Sequence, residues 1–293
     1  MNYAGQEWVL RRDQASASTR ERKMKRLLGV ALVVTLTACG VSTQQEVEMG
    51  QQYGAQINQQ LPIVQDPEIN RYLNLIGDSI ARLTSRTDLT QANAWHFYMV
   101  DSKEVNAFAV PGGLIYVNRG LIERTQRMDQ LAGVLGHEIG HVVRRHSIKQ
   151  MQQQQGANFG VTLACVLTSV CNSQAGQAAI QVGGTALFAR FSRTDEQEAD
   201  EEGVRNTVRA GISPNGMPEM FQILINERQS NPSAVEGWFA THPLEEDRIA
   251  ATRALIATYD PAIIRSLSTD SRNYQNFKAR VRSLPPSPTP RRQ

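Results

Sequence analysis

The pentapeptide His137-Glu138-Ile139-Gly140-His141 constrains this chain more than any other feature of its 293 residues. On a helix, two His at i and i+4 share one face and can chelate a single zinc through their imidazole nitrogens. Glu138 follows the first of them, so it can stand beside a water on that metal and take its proton. The bare pentapeptide also arises by chance, and its surroundings decide. Here Leu131, Val134, Leu135, Val142 and Val143 flank it with apolar side chains, on what reads as one long helix from Met128 to Gln155. A charged cluster in such surroundings is costly unless it is used.

Two His remain local candidates for a third ligand. The pattern H-E-x-x-H-x-x-G-x-x-H is excluded, because Arg144 and Ser147 stand where it needs Gly and His. His146 lies nine residues after His137, which on a continuous helix is about 180° away, so it reads as a surface or second-layer residue. His96 precedes the motif on a strand and reads as packed or solvent-facing. The third ligand then comes from downstream, where Ser192-Arg193-Thr194-Asp195-Glu196-Gln197-Glu198-Ala199-Asp200 supplies acids. Glu196 and Asp200 are i and i+4 on one face, whereas Glu198 points about 200° away and Asp195 and Glu201 are also off that face. One of the pair could ligate zinc while the other holds a ligand His by its free N–H. Glu198, Glu201 and Glu202 read as a solvated face. Two His, a Glu and a water make the gluzincin arrangement.

Composition bounds the rest. Hydrophobic residues are 41% and charged residues 20%, ordinary for a globular chain and unlike a disordered, collagen-like or polytopic membrane protein. The formal charge of +3 belongs to the N-terminus: residues 1–38 hold seven of the 31 Lys/Arg and three of the 28 Asp/Glu, leaving the remainder at −1. Nucleic-acid binding therefore has no electrostatic support. Residues 24–38 combine Met24-Lys25-Arg26, about ten apolar residues and a small-residue end, a secretory signal too short to span a membrane. Leu36-Thr37-Ala38-Cys39 resembles the bacterial lipobox, which implies cleavage before Cys39 and lipidation of that residue. Gly40 in the next position implies the periplasmic face of an outer membrane, or the cell surface if the source is Gram-positive. Residues 1–23 read as a mis-called start or an extended leader, and residues 39–45 as the lipidated Cys and a polar tether.

Helices are expected over Glu46–Leu61, from Asp66-Pro67 through Leu83, and over Thr194–Ala210, Pro214–Arg228 and Leu244–Tyr259. Strands are expected over Trp95–Val100 and on both sides of Pro111-Gly112-Gly113. The fold class is α+β: a mostly helical zincin-type domain over 46–283, with a small β-sheet next to the active-site helix. The end, 284–293, is Pro-rich and expected to be disordered. No 34-residue repeat is present, so no TPR array is expected.

HEIGH, SRTDEQEAD, Thr241-His242-Pro243 and NAFAVPGG (106–113) together resemble the HtpX/CAAX-prenyl-protease/BepA/LoiP-type family of zinc metallopeptidases over residues 46–259. The lipobox favours its periplasmic lipoprotein branch. The resemblance implies one Zn2+ per chain, held by His137, His141 and Glu196, with Asp200 behind a ligand and Glu138 as general base. It places His242 where it can approach the zinc, to stabilise the transition state or to cap the metal in a latent form. Arg248 matches a recurrent Arg that orients acidic groups or forms a surface ion pair. Asn106, Ala107, Phe108 and Ala109 would offer an open strand edge to an extended polypeptide. The implied activity is endopeptidase cleavage of unfolded or misassembled envelope proteins. The rival is a chaperone-like lipoprotein with a retained zinc site, and a peptidoglycan amidase lacks this motif set. Residues 157–188 are apolar and small, and read as buried or membrane-surface helices. Cys165 and Cys171 within them could pair only across a helix break, since one continuous helix sets them about 9 Å apart.

Overall fold

The computed structural model describes residues 40–155, 190–243 and 246–288. The chain divides into two units, Met1–Ser42 and Thr43–Gln293, and of the first only Gly40 to Ser42 are described. The signal segment, Cys39, residues 157–188 with Cys165 and Cys171, and residues 289–293 lie outside the described residues.

The second unit opens with α1 (Thr43–Gln60) and α2 (Pro67–Ala81). Asp66 starts α2: its carboxylate accepts from the backbone N–H of Glu68 and Ile69, and Pro67 takes the first helical position. Ile69, Leu73, Ile76 and Ile80 then recur at helical spacing and are all buried, whereas Leu83 lies past the helix end and is exposed. After α3 (Thr87–Gln91) come β1 (His96–Val100), β2 (Ala107–Val110) and β3 (Leu114–Asn118). The sheet order is β1-β3-β2, with β1 parallel and β2 antiparallel to β3. The β2–β3 turn needs its glycines: Gly112 and Gly113 have φ of 82° and 100°, and a Cβ on Gly112 would stand 2.7 Å from the Glu46 carbonyl oxygen.

The expected long helix is two helices. After α4 (Arg119–Arg124), α5 runs Met128–Val143 and stops, and α6 begins afresh at His146 and ends at Gln155. Between them Arg145 takes a left-handed φ of 58°, which turns the chain out of the helical path. Among the described residues, four long or medium helices follow: α7 (Arg193–Arg209), α8 (Gly216–Ser230), α9 (Pro232–Thr241) and α10 (Glu246–Ile256). Ser192 and Asp195 close a capping box at the start of α7. Two further helices, α11 (Pro261–Ser266) and α12 (Arg272–Arg282), extend the fold beyond the last expected helix. α12 packs on α2, with the Phe277 ring stacked 4.8 Å from that of Tyr72.

α5 is the axis of the core, buried from Asp129 to Val143. Its glycines let α7 and α8 come close. A Cβ at Gly140 would meet the Ala199 carbonyl oxygen at 2.6 Å, one at Gly136 would meet Gly203 Cα at 3.2 Å, and one at Gly133 would meet Met217 Cα at 2.7 Å. The sheet lies next to α5, and the fold is a mostly helical α+β domain. The start of the Pro-rich end is held in place: Arg119 donates to the carbonyls of Leu284 (3.2 Å) and Pro285 (2.6 Å), and Ser287 donates to Asp101 (2.7 Å).

Candidate metal centre

Three elements converge on one point. α5 presents His137 and His141 one turn apart, with their Nε2 atoms 3.1 Å from each other. α7 lies against α5 through the Gly140–Ala199 contact, which brings Glu196 within 3.6 Å of His137 Nε2 and 3.4 Å of His141 Nε2. The turn after α9 adds His242, whose Nδ1 is 3.1 Å from Glu196 Oε1 and 3.4 Å from His137 Nε2. All four side chains are buried, and their donor atoms lie within 4.8 Å of one another. Donors about 2.0–2.1 Å from a tetrahedral zinc stand about 3.3 Å apart, so this nitrogen- and oxygen-donor set fits zinc.

Charge balance is arranged around the cluster. Burial would raise the Glu196 carboxyl, but His242 and His141 outweigh it and hold it well below the usual carboxylate range. Burial pushes His141 well below its ordinary value, which keeps its ring neutral and able to ligate. Burial would also lower His242, yet Glu196 and Glu138 reverse the sign and raise it. Glu138 is different. Burial pushes its carboxyl up, and neither oxygen has a hydrogen-bond partner among the described residues. Its Oε1 is 3.5 Å from His242 Nε2. A buried carboxylate with no hydrogen-bond partner is unusual in a folded protein.

The groups behind the cluster differ from the sequence expectation at His146, Glu198 and Glu202. Asp200 accepts from His137 Nδ1–H at 2.8 Å, as its shared face with Glu196 suggests. Of the two roles set out for Arg248, it takes the one beside the acids and not the surface pair: it is buried, donates to Asp200 through Nε (3.0 Å) and Nη2 (2.8 Å), and also contacts Glu196 and the Pro243 carbonyl. His146 does not point away. The break at Arg145 swings it inward, where it is buried with Nδ1 2.9 Å from His141 Nδ1. Glu198 and Glu202, expected in a solvated face, are both engaged: Glu198 with His146 at 3.1 Å, and Glu202, buried, with Arg144 and Arg205 at 3.0 Å each. Glu201 is exposed, as expected, and so is His96. The helical stripe alone could not reveal the His146–Glu198 contact, because a single left-handed residue creates it.

β2, which holds Ala107, Phe108 and Ala109, is an edge strand of the sheet, but its four residues are buried, so the edge is not open to solvent in this state. α9 is tied to the segment just before it, where Val105 N–H donates to the Ala234 carbonyl at 2.8 Å and Asn106 lies against Gly237. The far end of β2 reaches the cluster: Val110 and Pro111 line one small cavity with His141.

The sequence profile described as Peptidase family M48 matches residues 67–256. The chain belongs to peptidase family M48. Its M48 relatives include the Beta-barrel assembly-enhancing protease of Escherichia coli (strain K12), 32% identical over 251 residues, which covers 82% of this chain and 49% of that protein. The Metalloprotease LoiP of the same organism is 31% identical over 147 residues, covering 50% of this chain and 57% of LoiP. The Metalloendopeptidase OMA1, mitochondrial, of Bos taurus is 29% identical over 162 residues, covering 53% of this chain and 31% of that protein. The chain spans about half the length of the first of these. M48 metallopeptidases are zinc-dependent, and the buried group of His137, His141, Glu196 and His242 can hold that metal. Among the described residues no helix is long and apolar enough to cross a membrane.

Proposed function

We propose that this protein is a zinc-dependent endopeptidase that hydrolyses unfolded or misassembled polypeptides of the bacterial envelope. The observation that carries the reading is Glu138: a buried carboxylate with no hydrogen-bond partner among the described residues, 3.5 Å from His242 and beside a compact set of zinc donors. A structural zinc site needs no such group.

His137, His141 and Glu196 would hold the metal, which supplies Lewis acidity to a water and to the scissile carbonyl. Glu138 takes the proton of that water and delivers it to the leaving amine. Its raised carboxyl fits a group that must both accept and release a proton. His242 Nδ1 stands in the fourth position of the donor set. A catalytic zinc keeps that position for water or substrate, so we read this arrangement as a latent state in which His242, once it gives up the proton that Glu196 and Glu138 favour, caps the metal. The burial of β2 fits the same state: an extended substrate would add along β2 once that edge is exposed. The four-donor set also favours a second reading, a closed structural zinc in a chaperone-like protein, against which stands Glu138, buried with no hydrogen-bond partner among the described residues.

One chelator-controlled casein assay tests these readings. Glu138→Gln should bind zinc as the wild type does and lose turnover by several orders of magnitude. Near-normal hydrolysis by that variant refutes the mechanism, and a wild type that holds zinc but never cleaves favours the second reading. His242→Ala should raise basal cleavage if His242 is a cap, and its loss of activity would make His242 a transition-state donor instead.

The envelope assignment draws support from the secretory signal over 24–38 and from a relative whose name describes β-barrel assembly. The lipobox supports a lipid anchor on Cys39 at the periplasmic face of the outer membrane. Metabolic palmitate labelling should be lost in Cys39→Ser, and labelling that persists there refutes the anchor.

A further inference from the structure

We propose that His146 and Glu198 are positioning residues for the metal ligand His141: a relay, running from the ligand to the protein surface, that fixes its tautomer and orients its ring. The inference rests on the metal-centre reading above and extends it to two residues outside the donor set.

With a neutral His146 ring, proton logic admits one arrangement of the three groups. Glu198, as a carboxylate, only accepts, and its Oε2 is 3.1 Å from His146 Nε2. His146 Nε2 therefore carries the hydrogen, which leaves Nδ1 of the neutral ring as an acceptor. That Nδ1 faces His141 Nδ1 at 2.9 Å, so His141 must donate from Nδ1. Its lone pair is then on Nε2, the atom that faces His137 Nε2 at 3.1 Å and Glu196 Oε1 at 3.4 Å. The relay thus selects the tautomer that a metal at the cluster requires, as a hydrogen bond to the far nitrogen of a ligand His does.

The surroundings fit a built feature. His146 has no solvent-exposed surface, so both ring nitrogens need partners, and both have them. It reaches this position only because Arg145 adopts φ 58°, a conformation that costs a non-glycine residue about 1–2 kcal/mol. Glu46 helps to hold the Arg145 guanidinium, at 2.9 Å from its Nε. Phe191 closes the third side, with its ring stacked 4.0 Å from that of His141. The two ligand His are backed differently. His137 is held directly by a carboxylate whose charge Arg248 balances, whereas a neutral ring separates His141 from the charge of Glu198. Both carboxylates come from α7, the helix that also supplies Glu196.

The test is zinc affinity of the full chain, measured by competition with a chromophoric chelator and read in parallel from the visible absorption of the cobalt(II) form. His146→Leu should weaken zinc about 10–100-fold and change the cobalt spectrum, as loss of such a partner does at other sites. His146→Gln, whose amide oxygen can accept from His141, should recover most of the affinity. Glu198→Ala should weaken zinc by a smaller factor, and the double variant His146→Leu/Glu198→Ala should lose no more than His146→Leu alone. Wild-type affinity in His146→Leu, or additive losses in the double variant, overturns the relay. If His146→Leu does not fold, Glu198→Ala at its partly exposed position decides, and wild-type affinity and spectrum there overturn the proposal. Glu196→Ala is the control for the metal centre: zinc binding that survives it, or a wild type that binds none, refutes the centre itself, whereas a relay failure leaves that control intact.

Discussion

Arg248 lets two carboxylates lie side by side in the interior. An ionised Glu196 or Asp200 alone would be strongly disfavoured at this depth. One guanidinium serves both, with two bonds to Asp200 and one to Glu196, while its flat face lies 4.8 Å from the Phe221 ring centre. Arg248 thus adds to the histidines around Glu196 and grips the same Asp200 that accepts from His137. At this scale, sequence legibility follows a simple line. Residues whose geometry depends only on helical periodicity could be read: His137 with His141, and Glu196 with Asp200, are both i and i+4 pairs on single helices. Residues that depend on a backbone turn or on a distant helix could not. His146 needs the left-handed Arg145, Glu198 needs His146, and Arg248 needs α10 to pack across the end of α7. His146 and Glu198 were legible as residue types but not as contacts, and Arg248 was set beside the acids only as one of two roles that the family resemblance implied.

At the scale of elements, the centre exists because α5 and α7 approach closely. Gly140, inside the His137–His141 pentapeptide, is what permits it. An Ala there would gain about 1 kcal/mol of helix propensity over Gly. Its Cβ would meet the Ala199 carbonyl oxygen at 2.6 Å and the Ala199 Cα at 2.9 Å, and both are backbone atoms that cannot rotate away. The helices must part, and overpacking of this kind costs about 1–3 kcal/mol. Gly140→Ala should therefore lower the urea midpoint despite the propensity gain, and it should also weaken zinc, because α7 carries Glu196 away with it. A variant as stable as the wild type, with unchanged zinc affinity, would show that the contact does not set the ligand distance. Elements with a strong apolar stripe, such as α2, were legible from the sequence, as was the turn between β2 and β3. α11 was not, because it buries no residue and has no stripe to show. α12 did carry one, in Tyr274, Phe277 and Val281, and its partner is α2 far back in the chain.

Across the second unit as a whole, Glu46 ties the N-terminal helix to the machinery. Its carboxylate is buried in α1 and takes Arg86 at 3.1 and 3.2 Å, Arg145 at 2.9 Å and the backbone N–H of Gly112 at 3.4 Å. Arg86 also donates to the Val142 carbonyl at 3.3 Å, the last turn of α5, and pairs with Asp88, which accepts from Thr43 at 2.5 Å. One acid thus joins α1, α3, the β2–β3 turn and the α5–α6 break. Removing one partner of a buried ion pair leaves the other charge uncompensated, which costs about 3–5 kcal/mol when both are fully buried. Arg145 is 34% exposed on its side chain and Arg86 only 11%, so Glu46→Ala should fall toward the lower end of that range. Glu46→Gln keeps the shape and one acceptor, and should lose less. The location of the damage separates this role from general destabilisation. Arg145 loses a counterion that helps hold its left-handed turn, His146 is then free to leave His141, and zinc affinity should drop in Glu46→Ala even at temperatures where the chain remains folded by circular dichroism. Urea unfolding and zinc titration on the same samples read both effects. A variant that loses stability yet binds zinc as tightly as the wild type would confine Glu46 to holding α1, and it would uncouple the turn at Arg145 from the metal centre.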